Sequence, residues 1–148
     1  YKYIYEQNKE ITNERQVEIN LIEPFLKKIG FQEKDWIRQL PVRMGRGERN
    51  FPDYAFLTDN THGFEKAHML IESKFYIKNN KELEETFKQV WSYGQRLSAK
   101  TLVIADKDSI WIYLQQNNSF DRTKYRKYFW KEFENPDKYN ETKRLLGK

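Results

Sequence analysis

Met69-Leu70-Ile71 running into Glu72-Ser73-Lys74 restricts the fold more than any other stretch of the chain. The apolar run reads as a short buried strand, and side chains alternate faces along a strand. Glu72 and Lys74 then point to one face at the strand's end, and Ser73 points to the other. Pro52-Asp53 precedes Glu72 with eighteen residues between the two acids. Two carboxylates can hold a hard divalent cation through oxygen. A lysine beside them can orient an attacking water or neutralise charge developing on phosphate. A solvated Glu-x-Lys pair and a Pro-Asp turn use the same residues, so the rest of the chain has to decide between these readings.

The apolar spacing predicts a helix over Asn13 to Ile29, with Val17, Leu21, Ile22, Phe25, Leu26 and Ile29 on one stripe. Asn13 and Gln16 suggest a capping box, Gly30 a stop, and Pro24 a kink. At about 100° per residue, Glu14 and Glu18 fall on the same stripe. Either the first turn projects past the core and both are wet, or they point inward and need a cation or donors.

Trp36 to Val42, Phe51 to Leu57 and Lys66 to Lys74 read as three strands of an antiparallel meander. The connection Arg43 to Asn50 carries Arg43, Arg46 and Arg49, which could grip phosphates or simply be solvated. A second helix is predicted over Asn80 to Ala99, its apolar face formed by Leu83, Phe87, Val90, Trp91 and Leu97. Strands follow at Thr101 to Ala105 and Ile110 to Leu114. Tyr125 to Phe133 is basic and aromatic, suited to covering the sheet or to stacking bases. Asn135-Pro136 precedes a short closing helix. In an antiparallel pair the start of one strand lies beside the end of the next, which brings Asp53 towards Glu72. His62, in a polar turn, and His68, near a strand's start, do not form a metal pair.

The 148 residues are enough for one domain with a sizeable core. A net charge of +5 and a pI near 9.2 favour a polyanionic partner. No apolar run reaches the length of a membrane span. The absence of cysteine excludes disulfides and Cys zinc sites and fits the cytoplasm. No Gly-x-x-x-x-Gly-Lys-Ser/Thr loop is present, so no ATP site is expected in this chain.

Taken together, these motifs resemble the PD-(D/E)XK nuclease superfamily, and within it the N-terminal nuclease domain of type I restriction enzyme motor subunits. The resemblance covers nearly the whole chain. It rests on Asn13-Glu14 leading to Leu21-Ile22-Glu23-Pro24-Phe25-Leu26 and Ile29-Gly30-Phe31, then Pro52-Asp53-Tyr54-Ala55 and Leu70-Ile71-Glu72-Ser73-Lys74. Gln89-Val90-Trp91-Ser92-Tyr93 matches the Gln-x-x-x-Tyr motif of the RecB-like branch, and Asn135-Pro136 with Leu145-Leu146-Gly147 is similar to the closing helix.

The resemblance implies an α/β restriction-endonuclease-like fold, a central mixed sheet flanked by helices. It implies Mg²⁺-dependent (or Mn²⁺-dependent) hydrolysis of double-stranded DNA by one module, residues 1–148, of a larger protein. The partners would be a motor or helicase and restriction–modification subunits. Glu14, Asp53 and Glu72 would ligate the metal, with the Ser73 carbonyl as a further ligand. Lys74 would be catalytic, Gln89 would orient water, Lys74 or a DNA phosphate, and Tyr93 would support the site. Relatives often carry arginine where this chain has Glu18, which leaves open whether Glu14 or Glu18 meets the metal; motif position favours Glu14. A non-catalytic DNA-binding or assembly module and a small RNA-processing enzyme are the alternatives.

Overall fold

A computed structural model of the chain describes residues 11–39, 52–58 and 66–146, together with the backbone of 42–44 and 48–50. The chain enters through a helical rod made of α1 (Glu14–Val17), a π-helical turn (Glu18–Ile22) and α2 (Glu23–Ile29). Asn13 caps it by accepting the Gln16 N–H. The capping box is incomplete, because the Gln16 side chain reaches Thr12 instead of Asn13. The π turn explains how Pro24 is tolerated. Widening the coil, with the Glu23 N–H donating to the Glu18 carbonyl, relieves the crowding that the proline ring imposes on the preceding turn. Gly30 closes the rod at φ 114°, a left-handed conformation that favours glycine.

A six-stranded sheet has the order β1 (Trp36–Arg38), β4 (Tyr54–Phe56), β5 (Met69–Ser73), β6 (Thr101–Ala105), β7 (Ser109–Leu114), β8 (Arg126–Phe129). The β5–β6 pair is parallel and the remaining pairs are antiparallel. The expected meander is present as β1–β4–β5. The expected arginine-rich connection differs: β2 (Val42–Met44) and β3 (Glu48–Asn50) form a separate two-stranded antiparallel ribbon.

Pleat alternation sorts the sheet residues between two cores. Tyr54, Phe56, Met69, Ile71, Val103 and Ile112 face the N-terminal rod, Phe133 and α4 (Pro136–Leu146). Ala55, Leu70, Leu102, Ile104, Trp111 and Tyr113 face α3 (Asn80–Leu97). Helices therefore cover both faces. Trp91 departs from its predicted place and is 39% exposed, while Tyr93 and Gly94 take the inner side of α3. In the basic aromatic segment Tyr128, Trp130 and Phe133 are buried, whereas Tyr125 and Phe129 are exposed. Among the described residues no helix is long and apolar enough to cross a membrane.

Gly94 sets how closely α3 approaches the sheet. A Cβ added there would lie 2.8 Å from Leu102 Cδ2, and Leu102 is fully buried. Gly94→Val is expected to destabilise the chain by about 1–3 kcal/mol through overpacking. Urea denaturation checks this, and an unchanged midpoint would show that the helix can shift without cost.

Candidate metal centre

Asp53 lies immediately before β4, and the register Tyr54↔Ile71 places it opposite Glu72 at the end of β5. Its backbone carbonyl accepts the Gln39 N–H at 3.1 Å. Its carboxylate takes over where strand pairing stops, Oδ2 accepting the Ser73 N–H at 2.8 Å. Asp53 is thus fixed by both neighbouring strands.

The two faces of β5 then receive different groups. Ser73 points towards the N-terminal rod. Its hydroxyl donates to Glu18 Oε2 at 2.5 Å and also lies 2.9 Å from Asp53 Oδ2 and 3.3 Å from Glu14 Oε1. One hydroxyl has one proton to give, so this cluster has more acceptors than the hydroxyl can satisfy. Carboxylate oxygens of Glu14, Glu18 and Asp53 all lie within 4.8 Å of one another, close enough to surround one cation. Burial, then the Asp53 charge, raises the Glu14 pKa above the ordinary carboxylate value.

Glu14 and Glu18 of the rod both reach this cluster, but their settings differ. Glu18 is buried and Glu14 is exposed at the rim. Two guanidinium groups reach Glu18 Oε1, Arg15 at 2.8 Å and Arg38 at 3.1 Å. Where the resemblance leads one to expect an arginine, the chain has a glutamate whose charge is met by Arg15 from the preceding turn and by Arg38 from β1. Arg15 also approaches Glu23, which accepts from the Tyr54 hydroxyl. Burial, followed by that hydrogen bond, raises the Tyr54 pKa. No feature of the sequence linked Arg38 to Glu18, because the contact joins residues twenty apart through the fold.

Glu72 leaves β5 on the opposite face, towards α3. It is 3% exposed, its carboxyl is hydrogen-bonded to Asp53, and its Oε2 is buried without a partner. Burial first, then the bond to Asp53 and the Asp53 charge, pushes its pKa up to about 10. Asp53 is thus the hinge of the site, touching the Ser73 cluster on one side and Glu72 on the other. Glu72 is not part of the three-acid cluster; it adjoins that cluster at Asp53 and feels the Glu14 charge more weakly.

Lys74 is half-buried, and its backbone N–H donates to the Ala105 carbonyl at 2.9 Å. Its positive charge is felt by both Glu72 and Glu14. From α3, Gln89 Nε2 donates to the Tyr93 hydroxyl at 3.2 Å, and Gln89 lines the same cleft as Lys74. Burial raises the Tyr93 pKa, with smaller contributions from Gln89, which opposes it, and from Glu72 and Asp53.

All of the expected residues on β4, β5, α3 and the first turn of the rod thus converge on one end of the sheet. Arg46 and His62 lie outside the described residues, as do the side chains of Arg43 and Arg49; His68 is exposed and apart from the carboxylates.

The donor set is all oxygen, which suits a hard divalent ion. The orphaned Glu72 oxygen is what a cation would satisfy, and the raised Glu72 pKa beside Asp53 is what its charge would reverse. The residues present therefore fit Mg²⁺ or Mn²⁺.

No family model and no curated protein matches the chain. Among solved structures, the fold is similar to that in a cryo-EM structure of a DrdV–DNA complex, with a TM-score of 0.56 and 12% sequence identity. The match covers 95% of this chain and 13% of that one, so the chain spans a small part of its neighbour's length. At this identity the likeness establishes the fold, and it is the α/β restriction-endonuclease-like one: a mixed six-stranded sheet with helices on both faces.

Proposed function

We propose that the chain is a divalent-cation-dependent nuclease module that hydrolyses DNA phosphodiester bonds, of the kind found in type I restriction enzyme motor subunits. The observation that carries this reading is Glu72, a carboxyl buried without a partner on one oxygen, hydrogen-bonded to a second acid and beside a lysine. Such a group is costly to bury for stability alone. The solution of a DNA complex for the structural neighbour supports nucleic acid as the polyanion that the net charge of +5 favours.

Asp53, Glu72, Glu14 and the Ser73 backbone would hold the ion, with Glu18 closing the far side through Ser73. When bound, the ion supplies Lewis acidity towards a phosphate oxygen and lowers the pKa of a coordinated water. Lys74 offers an ammonium to charge that develops on the phosphate, and Gln89 orients a water or phosphate oxygen at the cleft wall. Tyr93 fixes the Gln89 amide. A motor or helicase and restriction–modification subunits are the partners this reading implies.

Plasmid nicking with Mg²⁺, Mn²⁺ or EDTA tests the proposal. Asp53→Ala is expected to abolish both nicking and the heat of metal binding seen by calorimetry. Equal metal affinity in the two proteins would sink the ligand assignment. No nicking by wild type under any cation would leave the non-catalytic DNA-binding module as the better account.

A further inference from the structure

Directly beyond Lys74 the chain exposes two large aromatic rings, Phe75 at 38% and Tyr76 at 44%. Lys107 places its ammonium 5.7 Å from the Phe75 ring centroid and 5.0 Å from that of Tyr76. The segment is held in place from beneath. The Lys107 N–H donates to the Phe75 carbonyl at 3.0 Å, and the Ile77 N–H donates to Asp106 Oδ2 at 2.9 Å. Asp106 is 1% exposed and is anchored in turn, its Oδ1 accepting the N–H groups of Asp108 and Ser109 at 2.8 Å each. The rings are therefore presented to solvent by a braced turn.

A cleft of about 340 Å³ lies between this segment and α3, lined by Lys74, Tyr76, Ile77, Glu82, Glu85 and Gln89. Its charge is graded. Lys74 stands at the end next to the carboxylates, while Glu82 and Glu85 stand along α3. A groove for the phosphate backbone would be basic throughout. Carboxylates repel phosphate but accept hydrogen bonds from the N–H and amino groups of bases. An aromatic ring on one wall, acceptors and an amide on another, and a lysine at the end nearest the metal centre together suit one nucleotide: a neutral base inside and its phosphate at Lys74.

We propose that this cleft receives one unpaired nucleobase stacked on Tyr76, with Phe75 and Lys107 beside it, so that the strand is locally unpaired where it passes the metal centre. A base paired within a duplex has both faces stacked and cannot enter. The inference rests on the nuclease reading for its choice of ligand, but its test does not require cleavage.

The test is fluorescence anisotropy in EDTA, where cation-dependent cleavage cannot occur. The probes are a short oligothymidylate, an abasic oligonucleotide with the same number of phosphates, and a duplex of the same length. Wild type is expected to bind the base-bearing strand roughly tenfold or more tighter than the abasic one. The Phe75→Ala/Tyr76→Ala double variant is expected to lose that preference while binding the duplex within about twofold of wild type, as stacking on unpaired bases requires. Tyr76→Phe keeps the ring and should keep the preference, which separates stacking from a folding defect. Wild type binding the base-bearing and abasic strands equally, or the double variant retaining the preference, would overturn the proposal. So would an equal loss by the double variant on duplex and single strand. Base preference without any nicking under Mg²⁺ or Mn²⁺ would uphold the platform and sink the nuclease reading, so the two failures remain distinct.

Discussion

Lys74→Ala is expected to slow cation-dependent plasmid nicking by roughly 10²–10³, the usual cost of one charge contact made to a developing transition state. Its fold should change little, and its affinity for DNA should fall by no more than the loss of one phosphate contact. The backbone at Lys74 is pinned by the 2.9 Å hydrogen bond to Ala105, which the substitution keeps. The side chain is only half-buried, so little packing is lost. Its charge does offset the acids around it, so removing it should also raise the Glu72 and Glu14 pKa values further. Higher Mg²⁺ would then be needed for a given occupancy, and the rate must be compared at saturating metal. Lys74→Arg is expected to recover only part of the activity, because a planar guanidinium does not reproduce a compact ammonium point charge. Nicking within a few-fold of wild type at saturating Mg²⁺ would make Lys74 a structural counter-charge for Glu72 and no more.

What could be read from the amino-acid sequence depended on the range of the interaction. Period and pleat are local, and they placed Val17 to Ile29 on one stripe and set Glu72 and Lys74 against Ser73. Antiparallel register is nearly local, and it brought Asp53 opposite Glu72. The π turn was not legible, because widening a coil leaves no compositional trace; Pro24 showed only that something must give. The β2–β3 ribbon was also hidden. Glu48–Asn50 is wholly polar, and the single apolar–polar–apolar step of Val42–Met44 is too short to mark a strand. Trp91 was assigned to the inner face on hydrophobicity, yet it is one residue past Val90 and so rotated by about 100° away from the buried stripe. The pairing of Glu18 with Arg38 depended on tertiary placement, as did the bracing of Phe75–Ile77 by Asp106. The candidate site was thus readable as a set of residues, but not its division into a Ser73-centred acid cluster and a separately buried Glu72.

That division leads to the second large effect. Glu72→Gln is expected to stabilise the metal-free chain near and above neutral pH while removing its response to Mg²⁺. Burial, then the hydrogen bond to Asp53 and its charge, pushes the Glu72 pKa in the folded chain up to about 10, from an ordinary 4.5 in the unfolded one. Between those values the folded state binds a proton that the unfolded state has released. Stability from this group is therefore fully present below about pH 4.5 and is lost progressively as pH rises towards 10. Glutamine mimics the protonated form at every pH, still donating to Asp53, and so removes this slope. Wild type and variant should coincide near pH 5 in EDTA and then diverge, the variant gaining on the order of 1 kcal/mol for each pH unit. Mg²⁺ reverses the comparison. An ion that displaces the Glu72 proton stabilises wild type in proportion to its occupancy, whereas an uncharged amide cannot replace the lost carboxylate. Thermal melts across pH, with EDTA and with Mg²⁺, measure both halves. Parallel pH curves for the two proteins would show that Glu72 ionises normally, and an undiminished Mg²⁺-induced rise in Tm in the variant would remove Glu72 from the metal centre.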